Sequence, residues 1–350
     1  MESRTAWERG EDGQPNIAKI SERAGVSPST VSKVLSGSRE ISQYTAEKVL
    51  AIAQELGYLA ARSEKRRGLC REAIVIGVIC PELVSAYYAR IVQMLGEVIE
   101  EAGGIMTVAV SLFDSEREQR QVQYCVQQQC VDGLIIVGHT ETDCRHYQYL
   151  QIPTVYLGTP KNCTYCDVIK LGFQDAIDHA IVHLKRLGHR SIGFIGERHT
   201  VNKKAYFEKA MQEHGLNLAP ESVVVSPYRF EAAGCYGMEL LLEGKKGITA
   251  VVCAYDNIAL GAMTALKAHG LEVPRDISLI GMDDIAESMP IPVALTSIRT
   301  YTQELCSVMV EILMKKIHNK SFTATQSITV RCELVVREST APPQKGGESV

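Results

Sequence analysis

From Ala73 onward, short β-branched runs alternate with amphipathic helical stretches, and few folds accommodate that alternation. Strands are expected at Ile74–Ile79, Ile105–Val110, Gly133–Val137, Thr154–Leu157, Ser191–Ile195, Ser222–Val225, Ala250–Cys253 and Ser278–Gly281. Helices are expected between them, among them Ala89–Ala102, Gln174–Leu187, Ala205–His214, Ala232–Glu243 and Ala259–His269. Strands separated by helices call for parallel sheets covered on both faces. There are more such units than one sheet of common size needs, so the expected body is α/β, built of two doubly wound lobes. Ligands of such sheets sit at the carboxyl ends of the strands, here across a cleft between the lobes.

The first sixty residues follow another rule. Ile17, Ile20 and Ala24 mark a short amphipathic helix that Gly25 ends. Ser27-Pro28 is a capping hydroxyl ahead of a first-turn proline, and opens a second helix, Pro28–Leu35. That helix buries Val31, Val34 and Leu35 and leaves Ser29, Thr30, Ser32 and Lys33 outside. A third helix starts after Ser42 and stops at Gly57. Two short helices around a tight turn, buried by a third, make an all-α helix-turn-helix headpiece. Small hydroxyl residues let the second helix approach a major groove, and Lys33 can reach guanine acceptors or a phosphate. The same pattern also fits a small three-helix bundle with a solvated face.

Charge separates these alternatives further. The net charge of −4 argues against nucleic acid, but residues 16–71 carry ten basic and five acidic side chains, against 25 and 32 in residues 72–350. A basic module on an acidic body suits a chain that presents one end to phosphate. No apolar run is long enough to span a bilayer, and the first sixteen residues do not read as a secretory signal, so a cytoplasmic protein is expected. Eleven cysteines, an odd number scattered through apolar segments, fit reduced core thiols there.

The segment ISERAGVSPSTVSKVLSGSREISQYTAEKVLAIAQELGY (Ile20–Tyr58) resembles the DNA-binding headpiece of the lactose-repressor (LacI/GalR) family of bacterial regulators. VDGLIIVG (Val131–Gly138), HLKRLGHRSIGFIG (His183–Gly196), ALGAMTALKAHGLEVPRDISLIGMDD (Ala259–Asp284), LTSIR (Leu295–Arg299) and ELVVREST (Glu333–Thr340) resemble its body. That body is similar to periplasmic sugar-binding proteins. The resemblance implies a disordered tail over 1–15, the headpiece over 16–60, a hinge over 61–72 and an effector domain over 73–340. Its first lobe would take about 73–160 and 298–325, its second about 161–297 and 326–340, with a tail over 341–350. It also implies a homodimer on double-stranded, pseudo-palindromic operator DNA, a co-regulator protein as a further possible partner, no membrane and no cofactor. DNA contacts would come from Ser27, Pro28, Ser29, Thr30, Ser32, Lys33, Ser36 and Tyr58, with Arg62, Arg66 and Arg67 of the hinge.

The sequence departs from the family at both sites. Its hinge, LAARSEKRRGLCR (Leu59–Arg71), lacks the family's proline, and Arg67 falls where an intercalating leucine is expected. Five basic residues there can hold phosphate but cannot unstack a base step. In the effector domain, Tyr87, Tyr88 and Phe230 fall at aromatic positions, Asp283 at the ligand carboxylate and Asp256 in the Asn-Asp pair. Lys203 replaces an arginine, Tyr255 the asparagine, Gly158 an aspartate and Thr300 a glutamine. Aromatic plates with an acceptor carboxylate suit a sugar first and a purine-like base second.

Enzymatic readings find little support. The nucleotide-binding glycine signatures and the GxSxG elbow are missing. Cys163-x2-Cys166-x12-His179-x3-His183 has zinc-finger spacing, but its intervening residues lack a finger's aromatic and leucine, so no metal is expected there. A redox pair of Cys163 and Cys166 remains a minority reading. The expected function is an effector-controlled transcriptional repressor. A sugar-binding protein without DNA function, or an enzyme on the same fold, are the alternatives.

Overall fold

The computed structural model describes residues 16–35, 40–58, 73–129, 131–138, 143–148, 150, 152–244, 247–285 and 293–344. The chain divides into two compact units, Met1–Ile169 with Gln303–Ile328, and Lys170–Thr302 with Thr329–Val350.

Three helices open the chain: α1 (Ile17–Ala24), α2 (Pro28–Leu35) and α3 (Gln43–Glu55). Their ends are set locally. The Asn16 carboxamide accepts the Lys19 amide, and Gly25 closes α1 in the left-handed region at φ 66°. Ser27 Oγ accepts the Thr30 amide at 3.1 Å and Ser42 Oγ the Thr45 amide at 3.3 Å, one cap for each following helix. Ile20, Ala24, Val31, Val34, Leu35, Val49 and Ala53 form a small closed core, against which Tyr58 is half-buried.

The first unit continues with β1 (Ile74–Cys80), α4 (Ala86–Glu101), β2 (Gly104–Val110), α5 (Ser115–Tyr124), β3 (Gly133–Val137), β4 (Thr154–Leu157) and β5 (Asp167–Leu171). The second holds α6 (Phe173–Leu187), β6 (Ile192–Glu197), α7 (Val201–Glu213), β7 (Val223–Ser226), α8 (Phe230–Gly244), β8 (Ala250–Cys253), α9 (Asp256–Ala268), β9 (Ser278–Asp283) and β10 (Thr296–Thr300). Helix α10 (Thr302–His318) and β11 (Ser327–Val330) return to the first unit, and β12 (Cys332–Val335) to the second. One sheet runs β11-β5-β4-β3-β1-β2 and the other β12-β10-β9-β8-β6-β7. Strands β1–β5 and β6–β10 thus repeat one doubly wound order, 2-1-3-4-5. Only β12, among the pairs with a described register, runs antiparallel to its neighbour.

The unit boundaries lie later than expected, at 169/170, 302/303 and 328/329 rather than 160/161, 297/298 and 325/326. The displacement has a sequence cause. β5, β10, β11 and β12 are short and carry polar residues, as in DVIKL and TSIRT, so no apolar run announces them. In the second unit α8 and α9 approach closely at glycines: a Cβ on Gly234 would stand 1.9 Å from the Ile258 carbonyl oxygen, and one on Gly261 1.9 Å from that of Glu231.

Candidate functional site

Helix α2 presents Ser27, Pro28, Ser29, Ser32 and Lys33 to solvent, with Thr30 half-buried. Its apolar side is consumed by the three-helix core, so the polar side is left for a partner. Ser27 and Thr30 are also joined through their hydroxyls at 2.9 Å, which orders the first turn. The Lys33 ammonium contacts the Glu40 carboxylate and holds that carboxyl below its usual range. Any DNA contact by Lys33 is therefore made beside an acidic neighbour. Tyr58 differs from the others, its ring lying against the headpiece core. Ser36, Arg62, Arg66 and Arg67 lie outside the described residues, as does the hinge expected between Leu59 and Arg71.

The second site grows from the strand ends of the second unit. A parallel sheet turns its chain at each carboxyl edge, so residues remote in sequence gather there. Glu197 ends β6, Phe230 opens α8 after β7, Tyr255 follows β8, Asp283 ends β9 and Thr300 ends β10. Lys203, on α7, lies over the Phe173 ring at 4.3 Å and donates to the Ala254 carbonyl oxygen at 2.8 Å and to Asp283 Oδ1 at 3.1 Å. Asp283 is 7% exposed, and burial raises its carboxyl pKa against the lowering effect of Lys203. The Phe230 and Tyr255 rings meet edge to face at 6.1 Å, and the Tyr255 hydroxyl accepts the Phe230 amide at 3.1 Å. Burial pushes that phenol up to about 12. Arg229 stacks over the Phe230 ring at 4.5 Å. Thr300 is 4% exposed, and its Oγ1 finds no hydrogen-bond partner among the described residues.

Backbone conformation marks the same edge. Phe230, Asp283 and Asp284 sit at φ 55°, 90° and 53°, a region that costs a non-glycine residue about 1–3 kcal/mol. Packing must hold each of them in place.

Asp256, expected as an effector contact, is fully buried, accepting the Ser297 hydroxyl at 2.6 Å and the Ile285 amide at 2.7 Å. Its carboxylate braces the turn that follows Asp283. Asp284 is a second support, absent from the expected effector contacts. It is 3% exposed and accepts Arg299 Nε at 2.6 Å and an Arg337 amine at 2.7 Å. Burial raises its pKa, but the two guanidiniums outweigh that and leave it below the ordinary range. Phe173, Glu197 and Arg229 were likewise missed. Only their places beside strand ends could have drawn attention to them.

In the first unit Tyr87 and Tyr88 follow β1 and are half-buried, their rings 5.1 Å apart, with Phe113 5.9 Å from Tyr88. The zinc-finger spacing dissolves in three dimensions. His183 Nε2 bonds the Thr340 hydroxyl at 3.0 Å, and the sulfurs of Cys163 and Cys166 group with Cys144 instead. Gly158, in place of a family aspartate, takes φ 140°.

Comparison with known proteins agrees with this geometry. Residues 16–60 match the profile of bacterial regulatory proteins of the lacI family, and residues 181–340 that of a periplasmic binding protein-like domain. A transcriptional repressor of Haemophilus influenzae named PurR is 31% identical over 341 residues, covering 92% of this chain and 98% of that protein. The chain belongs to the lacI family. It is accordingly a DNA-binding regulator with an effector-binding domain, and not an enzyme. Another relative, the regulator AscG of Escherichia coli, is 27% identical over 94% of this chain and 99% of its own. The lac repressor dimer, solved with operator and the anti-inducer ONPF, superposes with a TM-score of 0.69 at 25% identity, over 94% of this regulator and 99% of that chain. The regulator CelR, solved with cellobiose, gives 0.67 at 23% identity over 93% and 100%, a likeness of fold. Among the described residues no helix is long and apolar enough to cross a membrane.

Proposed function

We propose that this regulator is a cytoplasmic repressor that binds a pseudo-palindromic operator as a homodimer and is controlled by a sugar or sugar derivative. The observation that carries the DNA half is the exposed polar face of α2, held rigid by its own caps and by a core that uses up the apolar face. Ser27, Pro28, Ser29, Thr30, Ser32 and Lys33 are its base and phosphate contacts, joined by Ser36. Arg62, Arg66 and Arg67 add phosphate contacts from the hinge. A headpiece of this size reads few base pairs, so two copies one helical turn apart supply the affinity. The dimeric lac repressor on its operator supports that stoichiometry, and the relative called a repressor supports the direction of control.

The effector half rests on the strand-end group of the second unit. Asp283 accepts hydroxyl donors, Phe230 and Tyr255 supply ring surface, and Thr300 offers an unused hydroxyl. Lys203 is already engaged by Asp283 and Ala254, which favours a neutral ligand over a carboxylate or phosphate. A purine-like base is the second reading, because flat aromatic surface stacks on a base as readily as on a sugar.

The test is selection of bound duplexes from a random pool by the full-length protein, repeated with sugar and nucleobase panels. A symmetric consensus, released by one sugar, is expected. Failure to enrich any sequence would remove the DNA reading. Release by a base alone would reverse the choice of effector.

A further inference from the structure

Five of the nine described cysteines act as small apolar fillers. Cys80, Cys125, Cys253, Cys306 and Cys332 are buried, and burial raises each thiol pKa. Three others are arranged differently. Cys144, Cys163 and Cys166 of the first unit bring their sulfurs within 4.8 Å of one another. The Cys163 and Cys166 sulfurs are 2.9 Å apart, and those of Cys166 and Cys144 3.9 Å. Cys144 opens a short 3-10 turn, Cys144–Tyr147, after β3, whereas Cys163 and Cys166 lie in the segment between β4 and β5. The two segments are pinned together beside the thiols. The Cys144 amide donates to the Lys161 carbonyl oxygen at 3.0 Å, and the Asn162 carboxamide to Asp143 at 3.1 Å.

We propose that Cys144, Cys163 and Cys166 form a three-thiolate site for one soft d10 cation. Zinc(II) would complete its fourth position with solvent, and copper(I) would take the three sulfurs alone. Metal–sulfur bonds of about 2.3 Å place tetrahedral ligands about 3.8 Å apart. The 3.9 Å between Cys144 and Cys166 already has that span, and the pair is buried. Only Cys163 has to shift, by about 1 Å on the same geometric reckoning. It is the one of the three that is half-exposed, next to the half-exposed Tyr165, so the cation enters from its side. A third sulfur within reach, in a reducing compartment, favours ligation over a Cys163–Cys166 disulfide. Bound metal would staple the segment after β3 to the segment after β4, on the rim of the first unit's core.

The test uses the reduced, full-length protein under anaerobic conditions. Cadmium(II) should give a sulfur-to-metal charge-transfer band that saturates at one equivalent and raises the thermal midpoint. Peptide mapping after alkylation should show those three thiols protected by metal. Cys163→Ser should weaken binding at least tenfold, whereas Cys235→Ser, at a half-buried thiol elsewhere, should leave it unchanged. Competition with zinc(II) and with buffered copper(I) then tells which ion is held more tightly. No saturable band, or protection of other cysteines, would overturn the proposal. So would a protein that resists metal and loses two hydrogens on mild peroxide treatment through a Cys163–Cys166 disulfide. Because DNA contacts do not enter this experiment, its failure leaves the regulatory reading intact.

Discussion

The α2 face and the strand-end group of the second unit are both proposed recognition surfaces, yet they are built in opposite ways. On α2 the polar side chains are exposed, and the helix caps itself within four residues through Ser27 and Thr30. At the strand ends the polar groups are buried and support one another across long stretches of sequence. Asp284 engages Arg299 and Arg337, Asp256 engages Ser297, and Lys203 engages Asp283. The exposed face can lose any one member and remain folded. Within the buried group the loss of Asp284 is costly, because it would leave two guanidiniums without their carboxylate in low dielectric. Adjacent aspartates then differ, Asp284 holding the scaffold and Asp283 being the one proposed to face the ligand.

The largest expected effect breaks that scaffold. Asp284→Asn leaves two arginines without their shared carboxylate and should cost about 3 kcal/mol in urea unfolding, within the range for a broken buried pair. A loss within ordinary surface scatter would place Asp284 outside the support. Asp283→Asn sharpens the contrast. It should leave stability nearly unchanged or improve it while weakening the effector by about 1.5–3 kcal/mol in calorimetry. If it destabilises as much as Asp284→Asn, the two aspartates do the same job.

Acid titration separates them again. The folded-state pKa of Asp284 is depressed, so its stabilisation is present above the ordinary carboxylate range and disappears as pH falls through the depressed value. That of Asp283 is raised, so it opposes folding at neutral pH, and this cost is relieved as pH falls through the raised value. Relative to wild type, Asp283→Asn should therefore gain most near neutrality and Asp284→Asn should lose most there. Stability curves that run parallel to wild type for both variants would contradict the assignment.

On the exposed side the effects are on DNA and smaller on folding. Lys33→Ala should cost about 1–3 kcal/mol of operator affinity if Lys33 bonds a base, with no change in unfolding midpoint. Its companion Glu40→Gln should modestly tighten binding to any duplex, since it removes a negative charge beside the ammonium. Equal operator affinity in wild type and Lys33→Ala would remove Lys33 from the readout. Smallest of all, Ser42→Ala removes the α3 cap and should cost about 1 kcal/mol of headpiece stability, read by helical circular dichroism on heating.

The headpiece was legible in the sequence because its determinants are local. Ser27-Pro28, Gly25 and Ser42 fix helix ends by contacts within a few residues, and helical periodicity sorts Val31 and Val34 from Ser29 and Lys33. The long apolar strands of both sheets were legible for the same reason. What only the tertiary structure decided was pairing at a distance. The polar edge pairings, β5 with β11 and β10 with β12, join segments remote in sequence, and they move the unit boundaries with them. Asp256 and Asp283 look alike as aspartates near strand ends. Their difference comes from Ser297 and the Ile285 amide, which hydrogen-bond one, and from Lys203, which pairs with the other. Cys163 and Cys166 stood three apart beside histidines at zinc-finger spacing, but Cys144 is their neighbour in space because two strand connections lie side by side. Side-chain chemistry and local periodicity are written in the chain. Burial, and the partner each buried charge or thiol finds, are set by the fold.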